Sequence, residues 1–290
     1  MIRTSRFLLL GALLLALLLA GCAQPPVQPA PTPTPEPTAA IPTPTQEAAT
    51  PTVPAASSDI GLSPADISLD GQGLVERWQA VAVPATPYDN MHAPGPSGLP
   101  AHIQVLFNGV TDPRKRPPGD PVIYIIPVEA YRQMWDEHES RAVSDELRKI
   151  DEYIQQLPEP SPVRGMPVLP LEETFGINDF VTQLRPAEGG FRFVGRFAMD
   201  ATPLTNEGLR YIYQGLAGDG KWLVAFFFPV RTDELPDGLE AVSPEDEKAF
   251  QEDGLGYLAA QSKRLDALPG DAWDPDLARL DALIASLEIR

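Results

Sequence analysis

Cysteine is almost missing from this chain: Cys22 is the single one among 290 residues. No disulfide can close within the molecule, and no thiol pair exists for a zinc or redox motif. Histidine is nearly as scarce. No two of His92, His102 and His138 stand four residues apart and none lies in an H-E-x-x-H frame, so no metal motif is legible. Asp89, His92 and His102 can meet only if the Pro-rich loop between them folds back, and local hydrogen bonding is the expectation for that histidine loop. Positive charge is also short, with 22 Lys and Arg against 40 Asp and Glu and a net charge of −18. Such a surface repels nucleic acid and anionic headgroups at long range, which excludes both as electrostatic partners. Long apolar runs are missing too, save Phe7 to Ala20, which is short for a bilayer span.

That one run is informative in context. Arg3 and Arg6 precede it, and Leu19, Ala20, Gly21 and Cys22 end it, which is the shape of a secretory signal. The ending resembles the lipobox of bacterial lipoproteins. The resemblance implies cleavage before Cys22, diacylglycerol on its thiol and a further acyl chain on the freed amine, and several chains anchor stably where one is marginal. The competing reading is a chance cysteine in an ordinary signal. Residues 1–21 are then a signal peptide, and the loss of Arg3 and Arg6 with no acid takes the charge from −18 to −20.

Residues 22–58 begin with this cysteine and continue as AQPPVQPAPTPTPEPTAAIPTPTQEAATPTVPAASS, where 11 prolines and two charges, Glu36 and Glu47, leave nothing to bury. Extended polyproline geometry at ~3.1 Å per residue gives this tether a reach of roughly 100 Å. Its Thr-Pro units are compositional candidates for O-linked sugar. Residues 59–290 then form one globular domain, with 243–290 as a possible helical appendage.

Within the domain, strands are expected at Arg77–Val83, His102–Phe107 and Val122–Ile126, the last apolar on both faces and so central. FRFVGRFAM alternates, with Phe191, Phe193, Phe197 and Met199 on one face and Arg192, Val194 and Arg196 on the other; LRYIYQGL and WLVAFFFPV follow. Pro127 opens a helix with Val128, Tyr131, Trp135 and His138 at helical spacing. A second helix is expected with Ser144 as N-cap, Asp145 and Glu146 in its first turn, and Leu147, Ile150, Ile154 and Leu157 as its stripe. Ser243, Pro244 and Asp246 open a third, weakened by Gly254 and Gly256, with Phe250, Tyr257, Leu258 and Leu265 inward. Asp274 and Pro275 open the last, with Leu277, Leu280, Ile284 and Leu287 on one side. These elements predict an α+β fold, a mostly antiparallel sheet with helices packed on it and a C-terminal helical hairpin.

GLAGDGKW, Gly215 to Trp222, matches a phosphate-binding loop except for its final Ser or Thr. A phosphate loop needs a helix behind it, whereas WLVAFFFPV is a strand, and Asp219-Gly220 between two apolar runs is a hairpin signal. The run TPLTNEGLRYIYQGLAGDGKWLVAFFFPV, with VIYIIPVEAYRQMW and MPVLP upstream, resembles a recurrent region of tethered bacterial surface lipoproteins with Thr-Pro-rich linkers and no nameable activity. It covers roughly residues 100 to 236. The resemblance implies location and domain extent and carries over no catalytic residue.

GPSG at Gly95–Gly98 is no nucleophile elbow, which makes Ser97 a turn residue. Among 40 acids many pairs are conceivable, with Glu172, Glu173, Asp179 and Asp200 near strand ends or loops. The most distinctive candidate for ligand binding is basic: Arg192 and Arg196 on one strand face and Arg210 near the start of the next. Beside Tyr211 or Tyr213, such guanidinium groups can grip a carboxylate or phosphate. The competing reading pairs them with Glu188, Asp200 or Glu207. No catalytic residue, metal or cofactor is assigned. The expected protein is an extracytoplasmic lipoprotein held to the membrane by its N-terminal lipid, binding a protein or small-molecule ligand and no nucleic acid. The alternatives are a hydrolase of cell-wall or extracellular polymer, marked by a deep pocket with converging carboxylates, and an envelope scaffold marked by an apolar patch.

Overall fold

Apolar strands bounded by turn residues dominate the domain, and the computed structural model describes them over residues 60–91, 95–158, 167–171, 177–198 and 200–290. Cys22, the tether, His92, Glu172 and Glu173 lie outside the described residues. In chain order come Ile67–Ser68 (β1), Trp78–Val83 (β2), Thr86–Asp89 (β3), Ser97–Leu99 (β4), His102–Phe107 (β5) and Val122–Pro127 (β6). Two helices follow, Val128–Asp136 (α1) and Ala142–Gln155 (α2). Strands resume with Ile177–Phe180 (β7), Arg185–Ala187 (β8), Gly190–Ala198 (β9), Leu209–Ala217 (β10), Trp222–Pro229 (β11) and Arg231–Thr232 (β12). The chain then runs through Pro244–Glu252 (α3), Gly254–Asp266 (α4), Trp273–Asp274 (β13), Leu277–Ala285 (α5) and Glu288–Ile289 (β14).

Eight strands make one sheet in the order β2-β5-β6-β11-β10-β9-β7, with β8 also on β9. All its ladders are antiparallel, which makes the fold α+β with a mostly antiparallel sheet. Side chains of alternate residues leave opposite faces, and both faces are apolar. Ile103, Val105, Ile123, Ile125, Val194, Tyr211, Val224 and Phe226 enter one core, which α5 covers with Leu277, Leu280, Leu283 and Ile284. Leu106, Val122, Ile126, Phe191, Phe193, Ile212, Ala225 and Phe227 enter a second core beneath Tyr131 and Trp135 of α1 and Val143, Leu147 and Ile150 of α2. The sheet is thus the middle of three layers, and β6, buried on both faces, lies inside it as its composition predicts.

The open question of GLAGDGKW has a structural answer. Residues of β10 and β11 pair down to Ala217 and Trp222, Asp219 and Gly220 both take positive φ, and Lys221 N–H donates to Gly218 O at 3.2 Å. This is the hairpin turn whose twist matches its strands. Gly215 serves a different need: a Cβ there would collide with the Tyr213 phenol, and Gly190, its cross-strand partner, would also meet that ring. The bare glycine pair gives Tyr213 a bed across two strands, and its hydroxyl donates to Glu188 O at 2.7 Å.

Several boundaries differ from the sequence reading. Helix α2 begins at Ala142, before Ser144, because Val143 is already buried; the Ser144 hydroxyl donates to the Asp136 carboxylate (2.9 Å) at the end of α1 and caps nothing. Ser97 is buried in β4, paired to β3, and is not a turn residue. The helical pair near the C-terminus is α3 with α4, split at Asp253, which accepts from Gly256 N–H at 3.0 Å and caps α4. Phe250 and Tyr257 join the two halves edge to face at 5.8 Å. Helix α5, capped by Asp276, packs on the sheet by itself. Residues beyond 243 are part of the body: Leu265, Trp273 and α5 belong to the first core, and β14 pairs with β1. Among the described residues no helix is long and apolar enough to cross a membrane.

Candidate functional site

The arginines singled out by sequence fall on two faces of the sheet. Arg192 and Arg196 share the face of Val194. Arg192 reaches α5, where its Nε and Nη2 donate to the two Asp281 oxygens at 3.1 and 3.2 Å. The same carboxylate accepts the Tyr211 hydroxyl at 2.7 Å. Burial, aided by the negative charge of Asp281, raises the Tyr211 phenol well above its ordinary value of 10. Arg196 is 1% exposed, and its guanidinium donates to Pro203 O at 2.6 Å and Thr202 O at 2.9 Å. Arg210 lies on the opposite face, its guanidinium 5.1 Å from the ring centre of Phe197. The three do not converge: Arg192 meets Asp281, Arg196 meets the Thr202 and Pro203 backbone oxygens, and Arg210 lies beside the ring of Phe197.

A second polar cluster lies at the other end of the sheet. Arg116 donates to Tyr124 Oη at 3.2 Å and to Asp120 O at 3.0 Å. His102, 2% exposed, faces the ring of Tyr124 at 5.8 Å. Its Nδ1 lies 2.8 Å from Pro100 O, which can only accept, so Nδ1 carries the proton; Nε2 accepts from the Gln104 amide at 3.0 Å. The ring is therefore neutral, and burial holds its pKa below the ordinary 6.5. His138 stacks on Tyr88 with centroids 4.4 Å apart. Among the described residues no group of three or more His, Cys, Asp or Glu side chains is placed to hold a metal ion.

Two depressions stand out among the described residues. One, of about 200 Å3, opens between the hairpin end and the C-terminal segment and is lined chiefly by Tyr213, Leu216, Val224, Ile284, Leu287 and Ile289, with Glu188 at its rim. Drug-sized ligand pockets run from about 300 Å3 upward, so this cleft takes one side chain or a similarly small molecule. The other is shallow and polar, formed by Asn206, Glu207, Arg231, Asp237, Gly238 and Glu240. Arg231 there is held by Asp237 at 2.8 Å. Neither brings a nucleophile within reach of a base.

Sequence reasoning missed the residues that organise these regions. Asn206 donates to Thr232 O and Leu235 O at 3.0 Å and accepts from Thr232 N–H at 2.9 Å, fixing the segment after β11. Gln214, fully buried, binds both the N–H and the C=O of Leu169 at 3.0 Å and fastens the segment 167–171 onto the sheet. Asp281 could have been noticed as a lone acid between Leu280 and Leu283 of an apolar helix. Compared with family models, with curated proteins and with solved structures, the chain matches none of them.

Proposed function

We propose that this chain is an extracytoplasmic lipoprotein, anchored through acyl chains on Cys22, whose residues 59–290 act as a binding module at the end of a Pro-rich tether. The observation that carries the reading is the order of Arg3 and Arg6, the apolar run, Leu19-Ala20-Gly21-Cys22 and then 11 prolines in the next 36 residues. Among the described residues the perturbed tyrosines and histidine are held in internal hydrogen bonds, and the small cleft at the hairpin end has room for a side chain. The N-terminal peptide of membrane-fractionated protein, read by mass spectrometry, should carry the acyl masses on Cys22. Cys22→Ser should move the protein from the membrane to the soluble fraction. An unmodified thiol in the membrane-fraction protein overturns the proposal.

A further inference from the structure

The small cleft at the hairpin end is built from three separate parts of the chain, each held by its own bonds. The turn between β8 and β9 carries Glu188 and Gly189. It is fixed to β10 by the Tyr213 hydroxyl donating to Glu188 O at 2.7 Å and by Leu216 N–H donating to Gly189 O at 3.0 Å. Leu216 and Val224 come from the hairpin of β10 and β11. Ile284 and Ile289 come from α5 and β14, where Leu287 N–H donates to Ile284 O at 3.1 Å and Ile289 pairs with Ile67 of β1. Walls fixed in advance lose little freedom when a ligand arrives.

The cleft differs in chemistry between floor and mouth. Val224 and Ile284 are buried and make an aliphatic floor, whereas Glu188 is exposed at the rim and is the one charged side chain that lines the cleft. The Glu188 carboxylate has no hydrogen-bond or ionic partner among the described residues. The arginines nearest to it in sequence, Arg185 and Arg192, are bound to Asp266 and Asp281. Burial raises the Tyr213 phenol, and the charge of Glu188 close by adds to that rise. Gly189 and Gly218 also line the cleft, and the carbonyl of each accepts one backbone N–H and keeps a second lone pair.

We propose that this cleft binds a short aliphatic ammonium ion, its alkyl tail inward on Leu216, Val224 and Ile284 and its charge at the mouth on Glu188. An ammonium brings three donors and no acceptor, which suits a carboxylate flanked by carbonyls. The orientation selects among amines. A lysine side chain entering from a partner would drive its charge into the aliphatic floor and lose hydration there. A free monoamine, or the N-terminal aliphatic residue of a peptide, keeps its charge at the mouth. Size agrees, because a cavity of about 150 Å3 holds benzene. Here n-pentylamine, with as many non-hydrogen atoms, has about 200 Å3. The net charge of −18 favours the approach of a cation. The inference names a ligand class for the binding module proposed above and rests on that reading; acylation of Cys22 is measured separately, so either can fail alone.

The test is calorimetric titration of the full chain in neutral detergent, with detergent alone as the blank and n-alkylammonium chlorides as probes. Affinity should rise about fourfold per methylene from propyl to pentyl, as expected for burying one CH2, and level off once the cleft is full, whereas uptake by micelles keeps rising. n-Pentylammonium should bind with a Kd on the order of 1 mM and more weakly as salt rises. Glu188→Gln should weaken it about three- to fivefold. Ala285→Phe, at an exposed position of α5 that lines the cleft, should close it to every probe with an unchanged circular dichroism spectrum. Neutral 1-pentanol, and pentane-1,5-diamine with a charge at both ends, should bind more weakly than n-pentylammonium. Leucinamide separates the two sources: tighter binding than n-pentylammonium assigns the site to a peptide N-terminus, weaker binding to a free amine. The absence of saturable binding, a diamine or alcohol that binds as tightly as n-pentylammonium, or a Kd indifferent to both substitutions overturns the proposal.

Discussion

The hydroxyl of Tyr211, on the sheet, donates to the carboxylate of Asp281, on α5, at 2.7 Å, and Arg192 grips the same carboxylate from the neighbouring strand. One acid thereby joins a helix to two strands. Asp281→Ala should leave a half-buried guanidinium and a buried hydroxyl without their acceptor and lower unfolding stability by about 2–3 kcal/mol. Tyr211→Phe, which removes only the donor, should cost about 1 kcal/mol. Urea denaturation of both and of the double variant measures the coupling; additive losses would show that the three groups act independently.

Alkaline pH should probe the same region. Burial raises the phenols of Tyr211 and Tyr213 above 10 in the folded state. The folded protein therefore holds protons that the unfolded chain releases, so this contribution to stability is complete below about pH 10 and is lost as pH rises beyond it. Ultraviolet titration should show these two tyrosines ionising only with unfolding, and Tyr213→Phe should flatten the loss.

Acid acts through His102. Its folded pKa is depressed by burial, so the unfolded chain binds a proton more readily; stability is complete above about pH 6.5 and falls as pH drops toward the folded value. Thermal unfolding of His102→Asn should lose that slope between pH 7 and 5, because asparagine keeps a donor for Pro100 O and does not titrate.

At the hairpin, Gly215→Val should evict the Tyr213 ring from its glycine bed and cost about 1–3 kcal/mol through overpacking. Lys221→Ala, at the position that mimics a phosphate-loop lysine, should leave stability within about 0.5 kcal/mol of wild type. Calorimetry on the two variants compares the claims directly.

What could be read from sequence was what repeats locally. β5, β6, β9, β10 and β11 announce themselves through alternation or continuous apolarity, and Asp219-Gly220 gives its turn through two positive φ angles. The α+β class follows from those runs. The short strands β1, β3, β4, β12, β13 and β14 have no pattern of their own; they exist because distant segments meet, as Ile67 does with Ile289. The start of α2 was misplaced because Ser144, a good capping residue, found a better partner in Asp136. For the arginines, the parity of β9 was legible and the partners were not. Asp281 is far along the chain from Arg192, and only the packing of α5 brings them together.

The antiparallel sheet also fixes an order of assembly. β10 and β11 need close only a tight turn, and β9 lies next in sequence, so these three can zip together locally. β6, by contrast, sits between β5, its near neighbour in the chain, and β11, which comes after both helices of the second layer and four further strands. A chain threaded from its amino end therefore releases β2, β5 and β6 long before β11 exists to shield them. Whatever escorts this polypeptide during that interval has to cover VIYII, the most oily stretch of the finished interior, until the later half arrives.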